Sequence, residues 1–332
     1  MRLSVLDQSP IAEGQDGAEA LRNTLDLAQL TDRLGYHRYW LAEHHGSPML
    51  AGAAPEVMIG PLAAATKRIR VGSGGVMLPH YSPLKVAETF WTLAALFPGR
   101  IDLGFGRASG SDPLTSLALQ RDRSRATADD FEQQLAELVA YLDRELPAEH
   151  PFSRLPLTLP TAPQAPQPWL LGSSAQSAIW AAEHGLNYAF ADFIAPEGEV
   201  FTADYRRRFQ AAHPGHPSRT SVAVAAICAP TNEQANELAM SARMTMRLLR
   251  QGQLIPVPSP ARARAYLESI RQPVTGWLPG RRAIIGDPPT VAAKLDEITA
   301  NYSADEVLIV TIVHDHAARR QSYELIAAAI GL

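Results

Sequence analysis

Trp40-Leu41-Ala42-Glu43-His44-His45-Gly46 is the stretch on which the reading of this chain turns. An apolar run from Arg38 to Leu41 ends in a carboxylate and two imidazoles, the pattern of a strand passing into a polar loop. The junction recurs. Short β-type runs stand between longer helical patterns at Leu3 to Leu6, Arg38 to Leu41, Ile69 to Ser73, Ile101 to Phe105, Trp169 to Leu171, Tyr188 to Ala191, Val222 to Ile227 and Val307 to Val313. Eight strands, each followed by helix, is the count of a closed parallel barrel, so the expected fold is α/β, a TIM-like (β/α)8 barrel forming one domain over residues 1–332.

The helical segments carry matching punctuation. Asp16 with Glu19 makes a capping box ahead of an apolar face at Leu21, Leu25 and Ala28, and Gly35 stops that helix. Ser82-Pro83 opens a helix with a face of Val86, Phe90, Leu93 and Phe97, and Pro98-Gly99 closes it. Thr231 with Gln234, and Asp287-Pro288 ahead of Val291, Leu295 and Ile298, repeat the signal. Two insertions break the rhythm, after the fourth and seventh strands. Residues 147–168 are proline-rich and irregular, and residues 252–286 are too long for an ordinary connection, which makes them a candidate lid over the strand ends.

Bulk composition narrows the function. With 332 residues, 46% hydrophobic and 19% charged, the chain can bury a large core. A net charge of -4 and scattered arginines give no electrostatic reason to expect nucleic acid or an anionic membrane. The single cysteine, Cys228, sits in apolar sequence and reads as a core residue. The start of the chain reads as a strand rather than a signal peptide, and no apolar run reaches the roughly 18 residues of a membrane span, so a cytoplasmic protein acting on small molecules is expected.

On a closed barrel the polar groups after the strand ends converge on one face. Glu43-His44-His45 follows the second strand, Gly74-Gly75 the third, Arg107 the fourth and Gly172-Ser173-Ser174 the fifth. His44 and His45 are adjacent on an extended segment, so they point to opposite sides and do not chelate one metal ion; proton transfer near neutral pH is the better chemistry. Gly104-Phe105-Gly106-Arg107-Ala108-Ser109-Gly110 fails as a dinucleotide fingerprint, because Ser109 stands at its third glycine. It remains a compliant backbone beside a fixed cation. Hydroxyls and amides from Ser173 to Ser177, ahead of a helix, suit a phosphate or serve as ordinary caps.

These motifs, together with Val71-Gly72-Ser73-Gly74-Gly75-Val76-Met77-Leu78-Pro79, Ser124-Arg125-Ala126 and Trp180-Ala181-Ala182-Glu183-His184-Gly185-Leu186, resemble in order and spacing the bacterial luciferase-like flavin monooxygenase family. The opening Leu3-Ser4-Val5-Leu6-Asp7-Gln8-Ser9-Pro10 is similar to luciferase-like oxidoreductases of unassigned substrate. The resemblance implies FMN, reduced by a separate flavin reductase, with O2 adding at the flavin C4a carbon to oxygenate a small organic substrate. It implies a catalytic acid or base at His44 with His45 in support, and Glu43 as a supporting group. The phosphate falls to Arg107, Arg125, Ser173, Ser174 and Ser177, and Gly74-Gly75 lies against the isoalloxazine and can carry a non-proline cis peptide. A homodimer through the helices after the second and third strands is also implied, including the patch Val57, Met58, Ile59 and Leu62.

Two departures separate the chain from the light-emitting members. Gly106 replaces their reactive cysteine and Ser173 replaces their acidic residue, which argues against luciferase activity and leaves FMN binding intact. Two other readings share the barrel: a deazaflavin-dependent hydride-transfer enzyme and a non-catalytic flavin-binding protein.

Overall fold

Strand and helix alternate along the described residues, which are 1–107, 113–119, 130–155, 164–271, 277 and 280–332 of the computed structural model. In chain order the elements are β1 (Arg2–Asp7), α1 (Gly17–Leu34), β2 (Arg38–Leu41), α2 (Pro55–Ala65), β3 (Arg70–Met77), α3 (Pro83–Leu96), β4 (Ile101–Gly106), α4 (Pro113–Leu119) and α5 (Phe131–Asp143). They continue with β5 (Gln167–Gly172), α6 (Ala175–Glu183), β6 (Asn187–Ala191), α7 (Glu199–Ala212), β7 (Thr220–Cys228), α8 (Asn232–Arg250), α9 (Pro260–Ser269), β8 (Ala283–Gly286), α10 (Pro288–Asn301), β9 (Glu306–Val310) and α11 (His316–Ile330). Neighbours from β1 to β7 pair in order, β7 pairs with β9 and β9 with β1, all parallel, which closes an eight-stranded TIM-like barrel.

β8 is a ninth strand that the sequence pattern does not reveal. β7 forks: Ser221 to Ala225 face β9, while Ala225 to Cys228 face Ala283 to Gly286. Four residues are too few to show a period, and β8 lies inside the 252–286 insertion. The same insertion holds α9, packed on α8 through Met240, Met244, Ala263 and Leu267.

Caps fall where the sequence signals them. Asp16, Thr231 and Asp287 accept the amides of Glu19, Gln234 and Thr290, and Gly35 ends α1 in the left-handed region. Ser82 precedes Pro83 at the start of α3, yet its side chain makes no capping bond. The buried face of α1 is Ala20, Thr24, Leu27, Ala28 and Thr31, rotated from the expected Leu21, Leu25 and Ala28. Two threonines can join the core because their hydroxyls are satisfied, Thr24 by Asp7 and Thr31 by the Leu27 carbonyl. Of the patch on α2 expected at a dimer interface, Ile59 and Leu62 are instead fully buried in the barrel core, and Val57 alone is strongly exposed, at 66%. These two side chains fill the space between α2 and the sheet, so they are unavailable to a second subunit.

Charge closes the N-terminal end of the barrel. Arg38 is buried on the barrel axis side of β2, paired with Asp102 at 2.8 Å and Glu306 at 2.9 Å, with its guanidinium 4.7 Å from the Trp169 ring centroid. Chemistry is thereby left to the opposite end, where the strands deliver their loops. Among the described residues no helix is long and apolar enough to cross a membrane.

Candidate active site

Asp7, the last residue of β1, organises the first loop of that face. It is fully buried and accepts bonds from the Ser9 amide at 2.7 Å, the Thr24 hydroxyl at 2.8 Å, the Tyr39 hydroxyl at 2.5 Å and the Arg319 guanidinium at 2.5 Å. Burial by itself would raise its pKa, but Arg319, Tyr39 and Ser9 outweigh burial and hold the carboxyl below its ordinary value. Gln8 stands between Asp7 and Ser9, and its Oε1 lies 2.7 Å from His44 Nε2. This short contact fixes the orientation of the His44 ring against the first loop.

Backbone bonds tie the rim loops together. Ile11 donates to the Met49 carbonyl at 2.7 Å, Ala51 to Ser9 at 2.9 Å, His44 to Gly52 at 2.8 Å and Val257 to Ile11 at 2.8 Å. The β1 loop is thus pinned to the β2 loop on one side and to the start of the 252–286 segment on the other.

Two cavities open at this face and share Gln8, His44, Phe193 and Ile194. The first, about 200 Å³, is floored by Gly74, Gly75, Val76 and Met77, with Gly106, Gly172 and Ser173 at one end. The Gly74-Gly75 peptide is cis. A Cβ at Gly75 would sit 2.8 Å from the carbonyl of Gly104, against backbone that has nowhere to move, so only glycine permits this surface. The second, about 210 Å³, is walled by apolar side chains, among them Met49, Leu50, Met246, Leu249, Trp277 and Ile312.

The expected site residues divide. His44, Gly74, Gly75 and Ser173 meet at the first cavity. His45 lines neither cavity; its Nε2 donates to Glu43 Oε1 at 2.7 Å. Glu43 is buried and also accepts from the Tyr81 hydroxyl at 2.8 Å and the Met77 amide at 3.0 Å. It lines the first cavity and fastens both His45 and the end of β3 there.

Ser174 precedes α6 and is exposed. Ser177 is buried, donating to the Ser174 carbonyl at 2.7 Å with the Tyr188 hydroxyl 3.0 Å away. Its hydroxyl serves the loop's shape. Arg107 is exposed with its guanidinium 5.4 Å from the Trp180 ring centroid on α6, beside the serine turn. Arg125 lies outside the described residues. Sequence reasoning did not single out Gln8 or Arg281, and a strand end followed by a polar side chain was the available signal only for Gln8. Among the described residues no group of His, Cys, Asp and Glu is arranged to hold a metal ion.

Residues 1–305 match the family model described as luciferase-like monooxygenase. The chain belongs to the luciferase-like monooxygenase family. This luciferase-like chain is 45% identical to uncharacterized protein YwcH of Bacillus subtilis (strain 168), over 98% of both proteins. It is 39% identical to N-acetyl-S-alkylcysteine monooxygenase of the same strain, over 99% of this chain and 98% of the relative. Its fold matches that of apo-MsnO8 with a TM-score of 0.86 at 39% identity, covering 100% and 98% of the two chains. The oxygenating constituent of a diketocamphane monooxygenase of Pseudomonas putida, solved with FMN, shares the fold with a TM-score of 0.73 at 20% identity, covering 98% and 96%. Family membership makes this chain a luciferase-like oxidoreductase.

Proposed function

We propose that this luciferase-like protein is an FMN-dependent monooxygenase that takes externally reduced FMN and O2 and oxygenates a small organic substrate. The observation that carries the reading is the pair of cavities sharing Gln8 and His44, one floored by glycine and one walled by apolar side chains. A flat tricyclic ring fits the first, where Gly74 and Gly75 present backbone without side chains. The phosphate would be held by Arg107, Arg125, Ser173, Ser174 and the first turn of α6, whose helix dipole favours an anion. Ser177, turned inward, shapes this loop.

Reduced FMN supplies the O2 activation when bound. His44 holds and exchanges a proton, and Gln8 keeps the ring oriented through its 2.7 Å contact with Nε2. Glu43, at the edge of the first cavity, and His45, held by Glu43 outside it, act as positioning residues. Trp277 and the apolar wall of the second cavity exclude water from the substrate side, with residues 252–286 as the cover. A diffusible flavin reductase as supplier, a homodimer and a cytoplasmic location complete the reading. The related enzyme named N-acetyl-S-alkylcysteine monooxygenase supports oxygenation of a small organic molecule.

The test supplies FMN and a deazaflavin separately, measures affinity by fluorescence quenching, and follows O2 uptake and product with reduced FMN over a substrate panel. FMN is expected to bind at least tenfold more tightly. In His44→Ala, product per O2 consumed is expected to fall about 10²-fold, with FMN affinity changing less than threefold. Preference for the deazaflavin, or unchanged coupling in His44→Ala, sinks the proposal.

A further inference from the structure

Arg281 stands out in the second cavity, as the one permanently charged side chain among the described residues of its lining, where Gln8 and His44 are the other polar groups. Its position is set by β8. Register against β7 sends alternate residues of that segment to opposite faces: Ile284 goes into the barrel core, while Ala283 and Arg281 line the cavity. The neighbouring arginine makes the contrast. Arg282 turns away to Asp192 at 3.5 Å and Glu199 at 3.7 Å.

Among the described residues Arg281 has no such counter-ion. No carboxylate among them lies within ion-pair distance of it, and its one side-chain hydrogen bond is Nη1 to the Phe193 carbonyl at 2.9 Å. A guanidinium carries five N–H donors, so most of this fork remains for a ligand. Burial and then the like charge of Arg250 lower its pKa. A half-buried cation kept without a protein anion costs stability, and that cost is recovered when the ligand brings the anion.

We infer that the substrate of this enzyme is an amphiphilic carboxylate, with its anionic head on Arg281 and its apolar body along Met49, Leu50, Met246, Leu249 and Trp277 toward His44. Bidentate geometry fits a guanidinium to a planar carboxylate, and the methionines accommodate bodies of varied shape. Arg281 is thus a specificity-determining residue. This rests on the monooxygenase reading for the word substrate, and its test is a binding measurement that needs no turnover.

Octanoate, 1-octanol and octyltrimethylammonium share a chain and differ in head charge. Calorimetric titration of the full-length protein, with and without saturating FMN, is expected to give octanoate at least tenfold tighter than 1-octanol and the cation weakest. Arg281→Met is expected to lose the octanoate preference while keeping its affinity for 1-octanol, which also reports an intact cavity. Arg281→Lys is expected to keep part of the preference. Equal binding of octanoate and 1-octanol to the native protein overturns the inference, as does a preference that survives in Arg281→Met. Failure of FMN to bind, with the octanoate preference intact, would strike the cofactor reading alone.

Discussion

Replacing Asp7 by Asn tests whether the buried ion pair behind the first loop holds the molecule together. Asp7 and Arg319 are 0% and 2% exposed, and four donors converge on the carboxylate. Asparagine keeps the shape but removes the charge and turns an NH2 toward at least one of those donors. Breaking a buried pair from one side leaves the other charge uncompensated, an effect of about 3–5 kcal/mol. For a chain of 332 residues that corresponds to a fall in Tm of roughly 4–7 °C. Thermal unfolding followed by tryptophan fluorescence measures it. Adding Arg319→Met removes the stranded cation and is expected to recover about half of the loss or more.

The pH dependence has a definite sign. The Asp7 pKa is lowered in the folded protein from 3.8, so the carboxylate stabilises the fold fully above that value. The contribution disappears as pH falls through the lower folded pKa, so the gap between native protein and Asp7→Asn is expected to close on the acid side of about pH 4. A loss below about 1 kcal/mol at pH 7, or a gap that widens on acidification, would refute the reasoning.

Gly75→Ala is expected to lower stability by about 1–3 kcal/mol and FMN affinity more than tenfold, because the new methyl meets the Gly104 backbone at 2.8 Å; chemical denaturation and flavin fluorescence read the two effects. Ser177→Ala is expected to cost about 1 kcal/mol of stability through its lost bonds to Ser174 and Tyr188, with FMN affinity reduced less than fivefold. Cys228 is buried and its thiol is pushed up to about 12 by burial and then by Asp287, so Ellman's reagent at pH 8 is expected to label it only after unfolding; rapid native labelling would contradict that environment.

Much of the barrel was legible because its strands and caps are local features. The apolar runs Leu3 to Leu6, Arg38 to Leu41, Ile101 to Phe105 and Trp169 to Leu171 announce parallel strands from a few residues each, and Asp16, Thr231 and Asp287 cap helices through bonds only three residues long. The split between His44 and His45 follows from the two-sided geometry of extended chain. Not legible was β8, whose four residues gain strand character only by pairing with the far end of β7. Ile59 and Leu62 look like a surface patch in sequence, and only the packing of α2 on the sheet shows which side they take.

Local sequence therefore determined the alternation of elements, the face on which their polar ends collect and, through the motifs carried there, the family. Tertiary structure decided which polar groups act together. Closure of β1 onto β9 brings Arg319 to Asp7 across 312 residues, which sets Gln8 against His44. The fork of β7 brings Arg281 into an apolar cavity. Helix and strand periods are properties of neighbouring residues, whereas a hydrogen bond between distant loops depends on barrel closure, and no short stretch of chain encodes that distance.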